Sequence, residues 1–284
     1  MTMPHGSLYV VGTGIQAPGQ ITLETVEAVK RADKVFYLVP DPFAKKFVTG
    51  LNENAEDLHH FYVNGQPRII TYDNMVDRIL SEVRAGKRVV AAFYGHPGVF
   101  AYPSHKAIHV ARSEGFTAHM LAGVSAEDCI VSDLGLDPSI GCHSYEATSF
   151  MVRPVPVFTS CMLILWQVGV IGDLKYTPKS SAPSDGMKKL QERLLEYYPE
   201  DHDAIMYEAS FSPAWKSRVD VVPISELGDL PVNGISTLVI PPSTTLPIDR
   251  EIAAMIGIEA SQSGQSTHST SLKLYRGVAT NRVA

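Results

Sequence analysis

Cysteine is scarce. Cys129, Cys142 and Cys161 are the only three, and no pair has CxxC spacing. An odd number without metal or redox spacing argues against a disulfide framework and a zinc ribbon, and fits a reducing compartment; the cytoplasm is the expected location. No apolar run approaches the roughly 18–20 residues that cross a bilayer. The start, MTMPHGSLYVV, lacks the basic region and cleavage site of a signal peptide. Basic clusters are missing too: 24 Lys and Arg face 30 Asp and Glu, a formal net charge of −6. Neither a membrane nor nucleic acid is therefore an expected partner. There are no internal repeats and no G-x-S-x-G elbow. His105 and His109 stand one helical turn apart without a recognisable third ligand, so no metal is expected. Asp201-His202-Asp203 reads as a polar loop before a strand. What remains is an ordinary globular composition, 45% hydrophobic and 19% charged over 284 residues, long enough for two domains.

Strand and helix signals alternate in the first part. Ser7–Val11 is a short apolar strand ending at Gly12-Thr13-Gly14. Helical periodicity from about Thr22 to Ala32 has Glu24 and Glu27 early and Lys30 and Arg31 late, as the helix dipole prefers. Lys34–Val39 is a second strand, closed by Pro40-Asp41-Pro42. A polar and aromatic stretch, Asp57–Arg68, precedes a helix from about Thr71 to Gly86, with Met75, Ile79, Leu80 and Val83 on its inner face. A strand to Phe93 and a helix from about Ser104 to Ser113 follow. Such βα units imply a mostly parallel sheet. The second half offers a helix near Ser125–Asp133 and another over about Ser184–Tyr198. Its strands fall at about Met162–Val168, Ala204–Glu208, Arg218–Val222 and Ser236–Ile240, with hairpin-like spacing that suggests a mixed sheet. The expected domains are 1–120 and 121–258, with a polar, Ser/Thr/Gln/Gly-rich tail over 259–284.

The segment FYGHPGVFAYPSH, Phe93–His105, is the most informative stretch. Gly95, Pro97 and Gly98 sit where a buried parallel strand turns into a helix, the edge at which open α/β sheets bind ligands. An ordinary strand-to-helix loop has the same composition. Gly12-Thr13-Gly14-Ile15-Gln16-Ala17 also satisfies the G-x-G-x-x-G/A dinucleotide fingerprint. That keeps an NAD-dependent dehydrogenase in view, though Pro18-Gly19 interrupts the point where the phosphate-binding helix must begin. Taken together, the glycine segment, the VVGTG strand end at Val10–Gly14 and LAGVSAEDC at Leu121–Cys129 resemble the tetrapyrrole methylase superfamily of S-adenosylmethionine (SAM) methyltransferases. Within it they look most like the borosin peptide backbone α-N-methyltransferases.

The resemblance covers about residues 7–258 and implies two α/β domains of the class III SAM methyltransferase type, with the cofactor in the interdomain cleft. Relatives acting on tetrapyrroles tend to carry Gly-Asp-Pro where this chain has Gly95-His96-Pro97. DLHHFYVNGQPRIITYDNM, Asp57–Met75, is similar to the borosin active-site segment, and on that resemblance Tyr62, Arg68 and Tyr72 are the catalytic set. His59 stands where the better-known fungal enzymes have tyrosine and is left out. The chemistry suits those residue types: a backbone amide must lose its N–H proton while charge is held on its carbonyl oxygen. The resemblance places SAM against Tyr94, His96, Val99 and Ala126, and against Gln167, Ala209, Ser236 and Thr237.

Familiar fungal borosins carry their substrate as a C-terminal extension. Here about 25 residues follow the catalytic region, ending SLKLYRGVATNRVA, so the expected substrate is a separate precursor peptide. A homodimer, or a heterotetramer with two bound precursors, is the expected assembly. Methylation of a tetrapyrrole or other small molecule on the same fold is the second reading. A non-catalytic peptide-binding module is the third.

Overall fold

The computed structural model describes residues 6–178 and 184–258; the expected tail over 259–284 lies outside them. The chain divides into two compact units. The first runs to Cys129 and regains Asp173–Pro178 and Ala209–Lys216, and the second takes the remaining described residues.

The first unit alternates β1 (Ser7–Gly12), α1 (Leu23–Arg31), β2 (Lys34–Leu38), α2 (Pro42–Leu51), β3 (Ala55–Asp57), α3 (Arg68–Arg84), β4 (Arg88–Phe93), α4 (Tyr102–Ser113) and β5 (Thr117–Met120). Its strands form a parallel sheet in the order β3-β2-β4-β1-β5. Side chains alternate across it with the period of two that a strand requires. Leu8, Val10, Phe36, Val89, Ala91 and Phe93 pack with α3 and α4 on one face. Val11, Val35, Tyr37, Val90 and Ala92 pack with Val29, Ala44 and Val48 of α1 and α2 on the other. Burial on both faces is the reason these strands read as continuous apolar runs. Helix starts are set by short polar caps: the Thr22 hydroxyl accepts from Thr25 N at 3.1 Å, and Asp41 Oδ1 accepts from Ala44 N at 2.8 Å ahead of Pro42.

In α3, Glu82 is held by Lys87 and Arg78, which bring its carboxyl down to about 2 from 4.5. A depressed folded-state value means stability that is complete above about pH 4.5 and lost as pH falls toward 2. Glu82→Gln should therefore lower the thermal midpoint at neutral pH, and the gap to wild type should close across that window. A gap independent of pH would place the effect elsewhere.

Helix α5 (Ala126–Leu134) begins in the first unit and ends in the second. The second unit continues with β6 (Cys142–Glu146), α6 (Ala147–Val152), β7 (Met162–Trp166), α7 (Asp185–Leu194), β8 (Asp203–Glu208), β9 (Arg218–Pro223), β10 (Thr237–Ile240) and α8 (Arg250–Met255). The sheet order is β6-β7-β10-β8-β9; β6 and β7 are parallel and the other pairings antiparallel. The mixed sheet is as the spacing suggested. Leu163, Leu165, Met206, Leu238 and Ile240 pack against Met187, Leu190 and Leu194 of α7. That helix stops at Leu194, four residues short of the expected Tyr198, and the chain continues through turns at 195–197. Among the described residues no helix is long and apolar enough to cross a membrane.

Candidate functional site

The glycine segment lies at the carboxyl edge of the first sheet. Tyr94 N donates to Leu38 O at 3.0 Å, carrying the β2–β4 ladder one step beyond Phe93. Gly95 then takes φ +71° and exchanges both backbone hydrogen bonds with Gly14, at 3.0 and 3.3 Å. The turn is braced from two sides: His96 Nδ1 accepts from Gly98 N at 3.0 Å, and His105 Nε2 donates to Gly98 O at 2.8 Å. His105, a metal candidate by its spacing to His109, is thus a strut of the loop. Beyond the turn, Val99 and Phe100 are exposed, and Phe100 has φ +51°, a conformation that costs a non-glycine residue about 1–3 kcal/mol. Tyr94 points into a protected site, where burial, then Cys129 and Asp41, push its hydroxyl up to about 12. Ala126 opens α5 just after Ser125, whose hydroxyl receives the Glu127 and Asp128 amides.

The dinucleotide-like glycines have their partners inside the protein. Gln20 Oε1 accepts from Ile15 N and Gln16 N, both at 2.9 Å. These are amides a bound pyrophosphate would need. A Cβ on Gly14 would lie 2.6 Å from Gln20 Cβ, and one on Gly12 would lie 2.3 Å from Gly95 O. Both glycines serve loop packing.

Four tyrosines and an arginine gather on the same unit. A tight turn at His59–Phe61 leads from β3 to Tyr62, and α3 begins at Arg68. The returning segment Asp173–Pro178 pairs with the stretch between them: Gly65 N donates to Tyr176 O at 2.8 Å, Tyr176 N to Gln66 O at 2.9 Å, and Arg68 N to Leu174 O at 3.0 Å. This pairing sets the Tyr176 ring 4.7 Å from Tyr62 and 5.9 Å from the Arg68 guanidinium carbon. Tyr72 meets Tyr62 edge-on at 6.4 Å and Tyr102 at 6.0 Å. Tyr102 in turn opens α4 directly behind the glycine loop. Burial and the neighbouring Tyr72 hydroxyl raise the Tyr62 phenol well above its ordinary value, outweighing Arg68. Tyr62 is therefore a hydrogen-bond donor at neutral pH. The fold brings Tyr62, Arg68 and Tyr72 together. Sequence reasoning missed Tyr176, which nothing local connects to Tyr62, and Tyr102, although Tyr102 lies inside the glycine segment itself.

Of the other expected cofactor residues, Ala209 belongs to the first unit and Gln167, Ser236 and Thr237 to the second. The β7–β10 register, continued two steps past the Leu165–Leu238 pair, sets Gln167 opposite Ser236. Gln167 follows β7 directly, in the left-handed region at φ +60°. The buried Ser236 hydroxyl is engaged within the fold, donating to Glu208 Oε1 at 2.6 Å and accepting from Asn233 N at 2.9 Å. Its backbone N–H is engaged as well, donating to Asn233 O at 3.2 Å.

The sequence profile of the tetrapyrrole (corrin/porphyrin) methylases matches residues 7–213. A methyltransferase/ribosomally synthesized cyclic peptide gymnopeptides precursor from Gymnopus fusipes is 46% identical over 243 residues, 84% of this chain and 57% of that protein. A methyltransferase/ribosomally synthesized type I borosin cyclic peptide precursor from Coprinopsis marcescibilis is 41% identical over 270 residues, 90% of this chain and 68% of its own length. The chain thus spans little more than half of the first relative. Among solved structures, uroporphyrin-III-C-methyltransferase from Thermus thermophilus superposes with a TM-score of 0.60 over 87% of this chain and 99% of that one, at 20% identity, a likeness of fold. Profile, relatives and fold agree, and the chain belongs to the tetrapyrrole methylase family, alongside the borosin methyltransferase precursors.

Proposed function

We propose that the chain transfers methyl groups from SAM to backbone amide nitrogens of a ribosomal peptide. The observation that carries this reading is the cluster of Tyr62, Arg68, Tyr72, Tyr102 and Tyr176 beside the glycine loop. The named activity of the relatives, methyltransferase with a cyclic-peptide precursor, supports it. Exposed Val63, Ile69, Ile70 and Leu174 surround the cluster and suit an apolar peptide.

The loop edge fits a cationic cofactor. Asp41 is 4% exposed, its Oδ1 caps α2, and its Oδ2 has no partner. It follows β2, the strand that pairs with β4 ahead of Tyr94, and is close enough to act on that hydroxyl. Tyr94, His96, Val99, Ala126 and Ala209 of this unit, with Gln167, Ser236 and Thr237 of the other, are the residues assigned to SAM. When bound, SAM supplies a methyl group on a sulfonium cation.

Each protein group has a task that follows from its surroundings. An amide nitrogen is a poor nucleophile until its proton leaves and its negative charge is shared with the carbonyl oxygen. Arg68, fixed by its Nε–H to Asp173 O at 3.4 Å, offers its remaining N–H groups to that oxygen. Tyr62, held protonated, is the second donor. Tyr72 is left to accept the amide proton. The edge-on and tilted rings of the cluster restrict the peptide, and positioning of this kind supplies up to roughly 7–11 kcal/mol of the barrier.

Every assigned residue lies between Tyr62 and Thr237, so a peptide presented in trans meets the complete set. Purified protein incubated with SAM and the peptide region of a related precursor should add mass in steps of one CH₂. Fragment spectra should place each step on a backbone nitrogen. Methylation of a tetrapyrrole with none on any peptide would overturn the proposal.

A further inference from the structure

Each methylation in this scheme deposits one proton on Tyr72, and the proton must leave before the next amide is engaged. Tyr72 and Tyr62 are both partly buried, and among the described residues neither hydroxyl is hydrogen-bonded to a carboxylate. Among the described residues, the ring base beside Tyr62 is His59. Its imidazole centroid lies 6.3 Å from the Tyr62 ring, its carbonyl receives Tyr62 N at 3.0 Å, and its side chain is 44% exposed. Asp57, the last residue of β3, holds that ring. One carboxylate oxygen receives His59 N at 2.9 Å and His59 Nδ1 at 2.7 Å, and the other receives Lys45 Nζ at 2.9 Å.

An ionised carboxylate only accepts hydrogen bonds, so Nδ1 carries the proton and Nε2 keeps its lone pair. Burial works to raise the Asp57 carboxyl. The His59 amide and Lys45 outweigh it and hold the group below its ordinary value. The other titratable neighbours are accounted for: Lys45 of α2 is paired with Asp57, and His60 turns its Nδ1 to Asp57 O at 2.7 Å and lies tilted against Phe61. On the far side of Tyr62 stand Tyr72, Tyr176 and Arg68.

We propose that His59, oriented by Asp57, is the proton exit of the tyrosine cluster; the inference rests on the proposed amide methylation. The amide N–H proton passes to the Tyr72 oxygen. The Tyr72 hydroxyl then donates to Tyr62 as the Tyr62 proton moves to His59 Nε2, and the imidazolium releases it to water. Across the cycle the amide loses a proton and gains a methyl, SAM becomes the neutral thioether, and the base set returns to its starting state. His59 acts through Tyr62, as a positioning and relay residue.

The test is multiple-turnover methylation, in which each enzyme molecule must clear its proton between additions, measured across pH for wild type, His59→Phe and His59→Ala, with calorimetric binding of S-adenosylhomocysteine on each. Wild type should slow on acidification as the imidazole is protonated. Both variants should lose that acid limb and be about a hundredfold slower at neutral pH, the lower end of general acid–base contributions. Cofactor-product affinity should hold, and added imidazole should restore most of the rate to His59→Ala. Wild-type rates and pH profile in both variants would overturn the inference and leave the methylation reading standing. So would a loss that imidazole does not rescue and that comes with weakened cofactor-product binding, since it marks a structural role. A wild-type protein that methylates no peptide at any pH overturns both.

Discussion

Tyr72→Phe should transfer no methyl group to peptide on the timescale of wild-type turnover while binding S-adenosylhomocysteine as tightly as wild type. The substitution keeps a ring that packs on the core side of α3 between Tyr62 and Tyr102, and removes only the hydroxyl. The hydroxyl's neighbour is the Tyr62 phenol, and losing one such hydrogen bond costs about 0.5–1.5 kcal/mol, so the thermal midpoint should move little. The size of the catalytic loss follows from the reaction. A backbone amide is an extremely weak acid, and without an acceptor for its proton the nitrogen lone pair stays delocalised. General-base contributions run to about 10⁴-fold, and this amide calls for the upper end. Tyr62 is not expected to substitute, because burial and its neighbours hold its phenol protonated. Equal rates for Tyr72→Phe and wild type in a single-turnover assay would reassign Tyr72 to substrate packing and leave the base elsewhere.

What the sequence made legible was the part of the fold governed by local periodicity. Leu8 and Val10 alternate with Tyr9 and Val11, and α3 repeats an apolar residue every turn; such patterns fix a buried strand and an amphipathic helix before any tertiary contact is known. Elements without that periodicity were silent. β6, Cys-His-Ser-Tyr-Glu, is an edge strand with no fully buried residue, and three-residue β3 has none either. α2 was concealed by the Pro-Asp-Pro that caps it and by Gly50 in its last turn. The candidate site divides the same way. The loop Gly95–Gly98 and the run from Tyr62 to Tyr72 are contiguous in sequence. Tyr176 reaches Tyr62 only through backbone pairing across more than a hundred residues, and no local signal encodes that. His59 could be seen as a residue type but not as a base, since its tautomer is set by an Asp57 contact that belongs to the folded turn. The formal dinucleotide fingerprint was answered by one side chain, Gln20, occupying the amides a phosphate would use.

Gly12→Ala is the second substitution with a large expected effect, and it separates the two readings of that fingerprint. Gly12 is the last residue of β1, which lies between β4 and β5 in the sheet. A Cβ there would stand 2.3 Å from Gly95 O and 2.8 Å from Pro97 Cδ, with Gly123 Cα behind it at 3.4 Å. None of these atoms is the end of a flexible side chain. The Gly95 carbonyl is tied to Gly14 N, and Thr13 N to Phe93 O, so it cannot retreat without opening the contact between the β1 and β4 ends. Forcing extra volume into such a site costs about 1–3 kcal/mol, and backbone on the opposing side argues for the upper end. At roughly 2–4 °C per kcal/mol the midpoint should fall by about 6–12 °C. Displacing Gly95 also displaces Tyr94 and His96, so affinity for S-adenosylhomocysteine should drop at least about tenfold, roughly 1.4 kcal/mol. Gly19→Ala supplies the control within the same stretch: its Cβ would meet nothing nearer than Gln16 O at 3.7 Å, and both readouts should stay at wild-type values. A Gly12→Ala protein of unchanged midpoint and unchanged affinity for the cofactor product would mean that the loop yields, and the glycine contact would no longer account for the shape of the site. Tight NAD binding by wild type that Gly12→Ala abolishes would return the fingerprint to its dinucleotide meaning.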